Sequence, residues 1–410
     1  MNAFIAFIVI ALAVEYATGL VANLLNLRAL RPEFPAGLNE VYEPDEYRRS
    51  QEYTQATTRF GIVSDTFNLG LLLTFWFAGG FSYLDEVVRD WGLHSIPTGL
   101  AYIGVLVIAQ TLVSLPFSIY STFVVEERFG FNKTTPRTFA LDLVKGLVLT
   151  VVLGGPLLAG VLAFFEFAGS LAWLYCWAAV TIFLLILQFV APTWIMPLFN
   201  KFTPMQTGEL RDAILGYART VDFTIDNIFV IDGSKRSSKA NAFFTGFGRN
   251  KRIALYDTLV EKHTVPELVA VLAHEIGHYK KRHIQQRMAI SILNMGVVFY
   301  LLSIFLESTS LFDAFFMDET SVYAGLLFFS LVYTPINMLL TMAGNFVSRR
   351  HEYECDLWAA ETVEEPGALA DALKKLAAGS LTNLTPHPLF VFLNEDHPPM
   401  LKRVQAVERV

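Results

Sequence analysis

A mainly α, polytopic membrane protein is the fold class that the sequence predicts, and three observations predict it. Of the 410 residues, 53% are hydrophobic and only 17% are charged, where soluble domains carry about a quarter of charged residues. Mean hydropathy is +0.44. The apolar residues are gathered into stretches long enough to cross a hydrocarbon core, about 20 residues each, and Lys and Arg fall between those stretches in alternation.

Taken in order, the stretches run from Asn2 to Leu27, Phe60 to Tyr83, Gly99 to Ser121, Thr138 to Phe165, Ala168 to Val190, Met288 to Leu306 and Val322 to Phe346, seven spans in all. Basic residues near span ends stay on the cytoplasmic side. The loop with Arg28, Arg31, Arg48, Arg49 and Arg59 and the loop with Arg128, Lys133 and Arg137 are therefore read as cytoplasmic. The second loop has only Arg89, and no Lys or Arg lies between Arg287 and Arg349. The amino terminus is expected outside and the carboxyl terminus inside. Because Met1-Asn-Ala-Phe has no basic n-region and the first apolar run is followed by Arg28 and Arg31, that run reads as a retained anchor. The spans divide the chain into residues 1–191 with five of them, a hydrophilic insertion at 192–287, two more spans at 288–347 and a hydrophilic tail at 348–410. Insertion and tail both face the cytoplasm in this reading.

The insertion ends in Val271-Leu-Ala-His-Glu-Ile-Gly-His-Tyr279. On a helix, residues four apart share a face, so His274 and His278 can reach one metal ion while Glu275 stands beside it to handle a proton. A catalytic zinc takes three protein ligands and keeps a fourth position open, which calls for a third donor. His283 lies five residues past His278, about 140° round a continuous helix, and would point away. The segment Ser348-Arg-Arg-His-Glu-Tyr-Glu-Cys-Asp356 offers His351, Glu352, Glu354 and Asp356 at what reads as a helix start after the seventh span. Glu352 and Asp356 share a face. Glu352 can ligate the metal, and Asp356 can accept a hydrogen bond from the other nitrogen of a ligating histidine.

Further segments extend the pattern: Glu126-Glu-Arg-Phe-Gly-Phe-Asn-Lys-Thr-Thr-Pro136, Ile195-Met-Pro-Leu-Phe-Asn-Lys-Phe202, the run from Asp232 through Asn241-Ala-Phe-Phe-Thr-Gly-Phe-Gly248, Lys251-Arg-Ile-Ala-Leu-Tyr-Asp-Thr-Leu259 and His397-Pro-Pro399. Over most of its length the chain resembles integral-membrane zinc metalloproteases of the type I CAAX prenyl protease family. The resemblance implies one Zn2+ per chain on His274, His278 and Glu352, with Glu275 as the base. It also implies seven helices around an enclosed chamber, with a gluzincin-like zinc protease domain and a small β element at the cytoplasmic side. The activity implied is an endopeptidase acting near the carboxyl terminus of prenylated CAAX-type peptides or other membrane-associated substrates.

Within that reading, His397 is the candidate donor to a developing oxyanion, its ring held by a Pro-braced turn. Asn241, Ala242 and Phe243 open a short exposed strand suited to pairing with an extended peptide. Arg349 has two readings, pairing with Asp356 or another carboxylate, or holding the substrate carboxyl terminus; Arg350 reads equally as a cytoplasmic anchor. Glu15, Asp65, Asp142 and Lys145 are polar residues within spans, expected to face protein or water rather than lipid, with Asp142 and Lys145 one turn apart and able to neutralise each other. The expected partners are peptide or protein substrates, prenylated or not, and the lipid bilayer, with the chain acting as a monomer. A net charge of −7 argues against nucleic acid. Cys176 and Cys355 are not expected to pair in a reducing compartment. The membrane is expected to be a bacterial inner membrane or the endoplasmic reticulum. Two alternatives are a quality-control zinc protease of the heat-shock type, which has fewer spans, and a metal transporter, which would need neither the large insertion nor a base carboxylate.

Overall fold

The computed structural model describes residues 2–31, 42–225, 227–245 and 252–410; Met1, Gly246 to Gly248 and Lys251 of the segments above lie outside these. All seven expected spans are helices long and apolar enough to cross a membrane: Ala3–Ala29, Pro44–Phe77, Ser95–Glu126, Pro136–Phe167, Gly169–Phe199, His283–Phe305 and Val322–Thr362. Their starts carry the chemistry that helix ends require. The side chain of Asn2 caps the first, Glu43 and Glu46 form a capping box on the second, and Thr135 and Ser321 cap the fourth and seventh.

Two spans differ from expectation in ways that shape the site. The second ends at Phe77 rather than Tyr83, because Gly79 takes a left-handed φ of 76° and a separate helix, Gly80–Arg89, follows it. The seventh does not stop at Phe346. It continues as one 41-residue helix to Thr362, about 60 Å at 1.5 Å per residue and roughly twice a hydrocarbon core. Ser348 to Asp356 is therefore the interior of this helix rather than the start of a new one, and Glu352 is rigidly tied to the membrane bundle.

At the end of the bundle away from Glu352, aromatic rings close the structure. Trp76 stacks on Phe315 at 4.6 Å between centroids, Phe315 stacks on Phe328 at 3.7 Å, and Trp76 Nε1 donates to the Ala314 carbonyl at 2.8 Å. Lower down, the helices part. A hollow between the first two spans is lined by Glu15, Asp65 and Asn68; Asn68 also lines a second hollow with Ser114 and Ser118, which in turn share a third with Asp142. Asp142 pairs with Lys145 as expected, and has a closer partner besides. It takes a two-pronged bond from Arg236 of the insertion (2.8 and 3.0 Å), while Lys145 stands 3.8 Å off and donates to the Leu198 carbonyl.

The insertion folds on a four-stranded sheet in the order β1 (Phe202–Pro204), β2 (Asn227–Ile231), β4 (Arg252–Tyr256), β3 (Ala242–Thr245). β2 and β4 are parallel; the outer pairs are antiparallel. Across it lies the helix Val265–Lys280, whose Leu268 and Leu272 pack on Ile228, Ile253 and Leu255 while Ala270, Ala273 and Ile276 face Ala359, Ala360 and Leu373. Gly277 lets the seventh span come close: a Cβ there would lie 3.1 Å from the Trp358 ring and 3.4 Å from Cys355. That close approach sets Glu352 beside the histidines.

Candidate active site

The helix Val265–Lys280 is fixed at both ends. Thr264 and Glu267 form a capping box with Pro266 in the first turn, and Lys375 reaches the Glu267 carboxylate at 2.7 Å. It stops where Arg282 turns left-handed (φ 61°), and the sixth span starts afresh at His283. On its buried face the Nε2 atoms of His274 and His278 stand 3.2 Å apart. Glu352 Oε2 is 3.3 Å from His274 Nε2, and Glu352 Oε1 is 3.3 Å from His278 Nε2.

Ligands 2.0–2.2 Å from one tetrahedral zinc stand about 3.3–3.5 Å apart, and these three spacings are close to that. Glu352 is almost wholly buried and its Oε2 has no well-formed hydrogen bond; His274 Nε2 at 3.3 Å and Arg403 Nη2 at 3.5 Å are its nearest polar neighbours, and a buried carboxylate in such a setting suits a cation. Two imidazoles and a carboxylate are a donor set for a divalent metal, so the residues fit the ion that the motif implies.

His274 Nδ1 donates to Asp356 Oδ1 at 2.8 Å, leaving Nε2 to face Glu352. Asp356 is fully buried, and Arg403, itself buried, clasps it by Nε at 2.8 Å and Nη2 at 2.7 Å. Burial alone would lower the His274 pKa, but Asp356 and Glu352 overcome it and push it up to about 9.

The residues singled out from the sequence fall into two groups. His274, Glu275, Glu352, Asn241, Ala242 and His397 line one cleft of about 240 Å³, with Arg403 at its base and Leu259, Leu369, Leu373 and Met400 as its apolar wall. His397 Nε2 is 3.5 Å from Glu352 Oε1, and its Nδ1 is 2.7 Å from Asp396. The two prolines after it lead into the helix Met400–Val407, which brings Arg403 back to Asp356. Asn241 precedes β3 and accepts the Tyr256 amide at 3.0 Å; β3 itself is an edge strand. Phe243, on the opposite strand face from Ala242, packs edge-on to Tyr256.

Arg349 stands apart. It does not pair with Asp356, whose cation is Arg403. Its guanidinium donates instead to the carbonyls of Val391 (3.1 Å) and Glu395 (2.5 Å), bracing the loop that presents His397. Arg350 pairs with Glu354 at 2.9 Å. His283 is buried with Nδ1 3.2 Å from His278 Nδ1. The expectation that it points away assumed a continuous helix; the turn at Arg282 brings it back, to the far side of His278 from Glu352. Cys176 and Cys355 are both free.

Sequence reasoning missed Arg403, whose only signal is a lone arginine on an amphipathic helix near a buried Asp in need of a cation. It also missed how the insertion is fastened to the membrane loops. Lys239 contacts Tyr53 (2.7 Å) and Glu126 (3.0 Å) beside the Phe131 ring, next to the Arg236–Asp142 pair.

Comparison with known proteins gives the family of the chain. A family profile described as "CAAX prenyl protease N-terminal, five membrane helices" matches residues 23–201, and one described as "Peptidase family M48" matches residues 204–410. CAAX prenyl protease 1 of Saccharomyces cerevisiae is 35% identical, the match covering 92% of this chain and 89% of that protein. The human CAAX prenyl protease 1 homolog is 30% identical, covering 91% and 88%. The crystal structure of S. mikatae Ste24p aligns over 100% of both chains with a TM-score of 0.94 and 31% identity. With both halves matched and the donor cluster in place, the chain belongs to peptidase family M48, in its CAAX prenyl protease branch, and is a multi-pass membrane metalloendopeptidase.

Proposed function

We propose that this chain is a zinc endopeptidase that cuts near the carboxyl terminus of prenylated CAAX-type peptides, with His274, His278 and Glu352 holding one zinc. The observation that carries the reading is the cluster of three donors within 3.3 Å of one another, beside a cleft that His274, Glu352 and Glu275 line and whose opposite wall is apolar enough for aliphatic side chains. The names of the similar proteins support the prenylated substrate class.

Bound there, zinc would polarise the scissile carbonyl and bring a water pKa towards 7. Glu275 accepts the proton of the attacking water and hands it to the leaving amine. His397, at the rim, donates to the oxygen that gains charge. Asn241 and the free edge of β3 hold the substrate main chain in extended form, with Ala242 and Phe243 on alternate sides of that strand. Asp356 keeps His274 in the tautomer that presents Nε2. Arg349 serves the substrate end indirectly, by shaping the loop before His397.

The basic loops support an orientation with the amino terminus outside and the site and carboxyl terminus in the cytoplasm, in the endoplasmic reticulum of a eukaryote or the inner membrane of a bacterium. One chain holds a complete donor set, which supports a monomer as the working unit. Cleavage of a farnesylated CAAX peptide against its unprenylated twin tests the substrate class. Faster cleavage of the farnesylated peptide is expected; equal rates would remove prenylation from the account and leave the peptidase.

A further inference from the structure

The two ligating histidines are supported by unlike partners. The outer nitrogen of a ligating histidine needs an acceptor that fixes its tautomer and ring plane. For His274 that acceptor is the buried carboxylate of Asp356. For His278, among the described residues, it is a third histidine: His283 Nδ1 lies 3.2 Å from His278 Nδ1.

His283 is placed as a part of the site rather than as filler. It is 2% exposed and stacks on His351 with ring centroids 3.8 Å apart and planes 6° from parallel, which holds its own plane. Cys355 Sγ lies 3.5 Å from the same Nδ1. The other ring nitrogen, Nε2, faces Glu354 Oε2 at 3.4 Å, and Arg350 Nε holds Glu354 Oε1 at 2.9 Å. One choice of tautomers gives these contacts a single direction from His278 through His283 to Glu354, with the Cys355 thiol as a second neighbour of His283 Nδ1. A proton on His283 Nε2 is met by Glu354, so Nδ1 carries the lone pair, accepts from His278 Nδ1–H and leaves His278 Nε2 free to ligate.

We infer that His283 is a positioning residue for the metal ligand His278, acting as a neutral acceptor whose tautomer is set by Glu354 and Arg350. The inference rests on the proposed reading of His278 as a ligand. The cage then has one ligand braced by a buried ion pair and one by an uncharged ring that leads outward to a half-exposed carboxylate.

The test is zinc affinity, measured by chelator competition on the full-length protein in detergent, together with metal content and the melting of the metal-free form. His283→Phe keeps a ring against His351 but has no acceptor, and is expected to weaken zinc binding about 10- to 100-fold. His283→Asn, with an oxygen near the place of Nδ1, is expected to recover most of that loss. Unchanged affinity in His283→Phe, or no recovery in His283→Asn, would overturn the inference. Should His283→Phe not fold, Asn against His283→Gln carries the test, since Gln puts its oxygen at the far ring position. Asn is expected to bind zinc more tightly than Gln, and the reverse order or equality overturns the inference. Metal content of one zinc per chain is expected; two would mean that His278, His283 and Cys355 hold a second ion, which also overturns it. His278→Ala separates the two levels: zinc retained there would fail the ligand assignment itself, whereas zinc lost there with full affinity in His283→Phe would fail only this inference.

Discussion

The membrane spans and the part built from the insertion and the tail solve opposite problems. In the apolar windows of the seven spans only 6–17% of residues are buried within the protein, whereas eight of the sixteen residues of the helix Val265–Lys280 are. Lipid is as apolar as leucine and gives spans no hydrophobic drive to pack tightly, so they can touch sparingly and leave polar hollows beside Glu15, Asp65 and Asp142. The insertion and the tail bury charge in the donor cluster, and buried charge has to be paired. Hence Asp356 is clasped by Arg403, and Glu352 sits between two histidines. Charged groups in the second region should therefore matter far more than those in the first.

The largest break comes from the cage itself. Glu352→Ala is expected to lose metal and cleavage together, read by metal analysis and peptide hydrolysis. Next is Asp356→Asn, which removes the charge that Arg403 clasps and leaves it only Glu352 Oε2, 3.5 Å away. A loss of about 3–5 kcal/mol of stability and of about 10- to 100-fold in zinc affinity is expected from melting and chelator competition. At the seam between the halves, Arg236→Met removes a two-pronged bond to Asp142 that is only partly shielded from water, and about 1–2 kcal/mol is expected. Smallest is Asp65→Asn in the hollow between the first two spans, expected to shift stability by no more than about 0.5 kcal/mol and to leave zinc affinity unchanged. A large zinc-affinity loss there would erase the contrast.

The same contrast explains what the sequence reveals. Span number is legible because each span is a long local signal, and the His274, Glu275 and His278 pattern because it needs one helix face only. Helix continuity is harder to read. Arg349, Arg350 and His351 look like a boundary because charges usually end a span, yet here the helix has left the lipid and continues. A left-handed turn at Arg282 has no residue signature, since glycine or asparagine usually fills that conformation, so the spacing reads as one continuous helix that turns His283 away. Arg403 is one arginine among many until the fold sets it against Asp356, 47 residues away in the chain.

The central claim is that Glu275 works on a metal held by other residues. Glu275→Gln, purified in detergent and assayed at once for zinc and for peptide cleavage, tests it most directly. One zinc per chain with cleavage reduced about 10²- to 10⁴-fold, the range of general acid–base catalysis, is the expected result. Cleavage at the wild-type rate, or zinc lost along with activity, would contradict it.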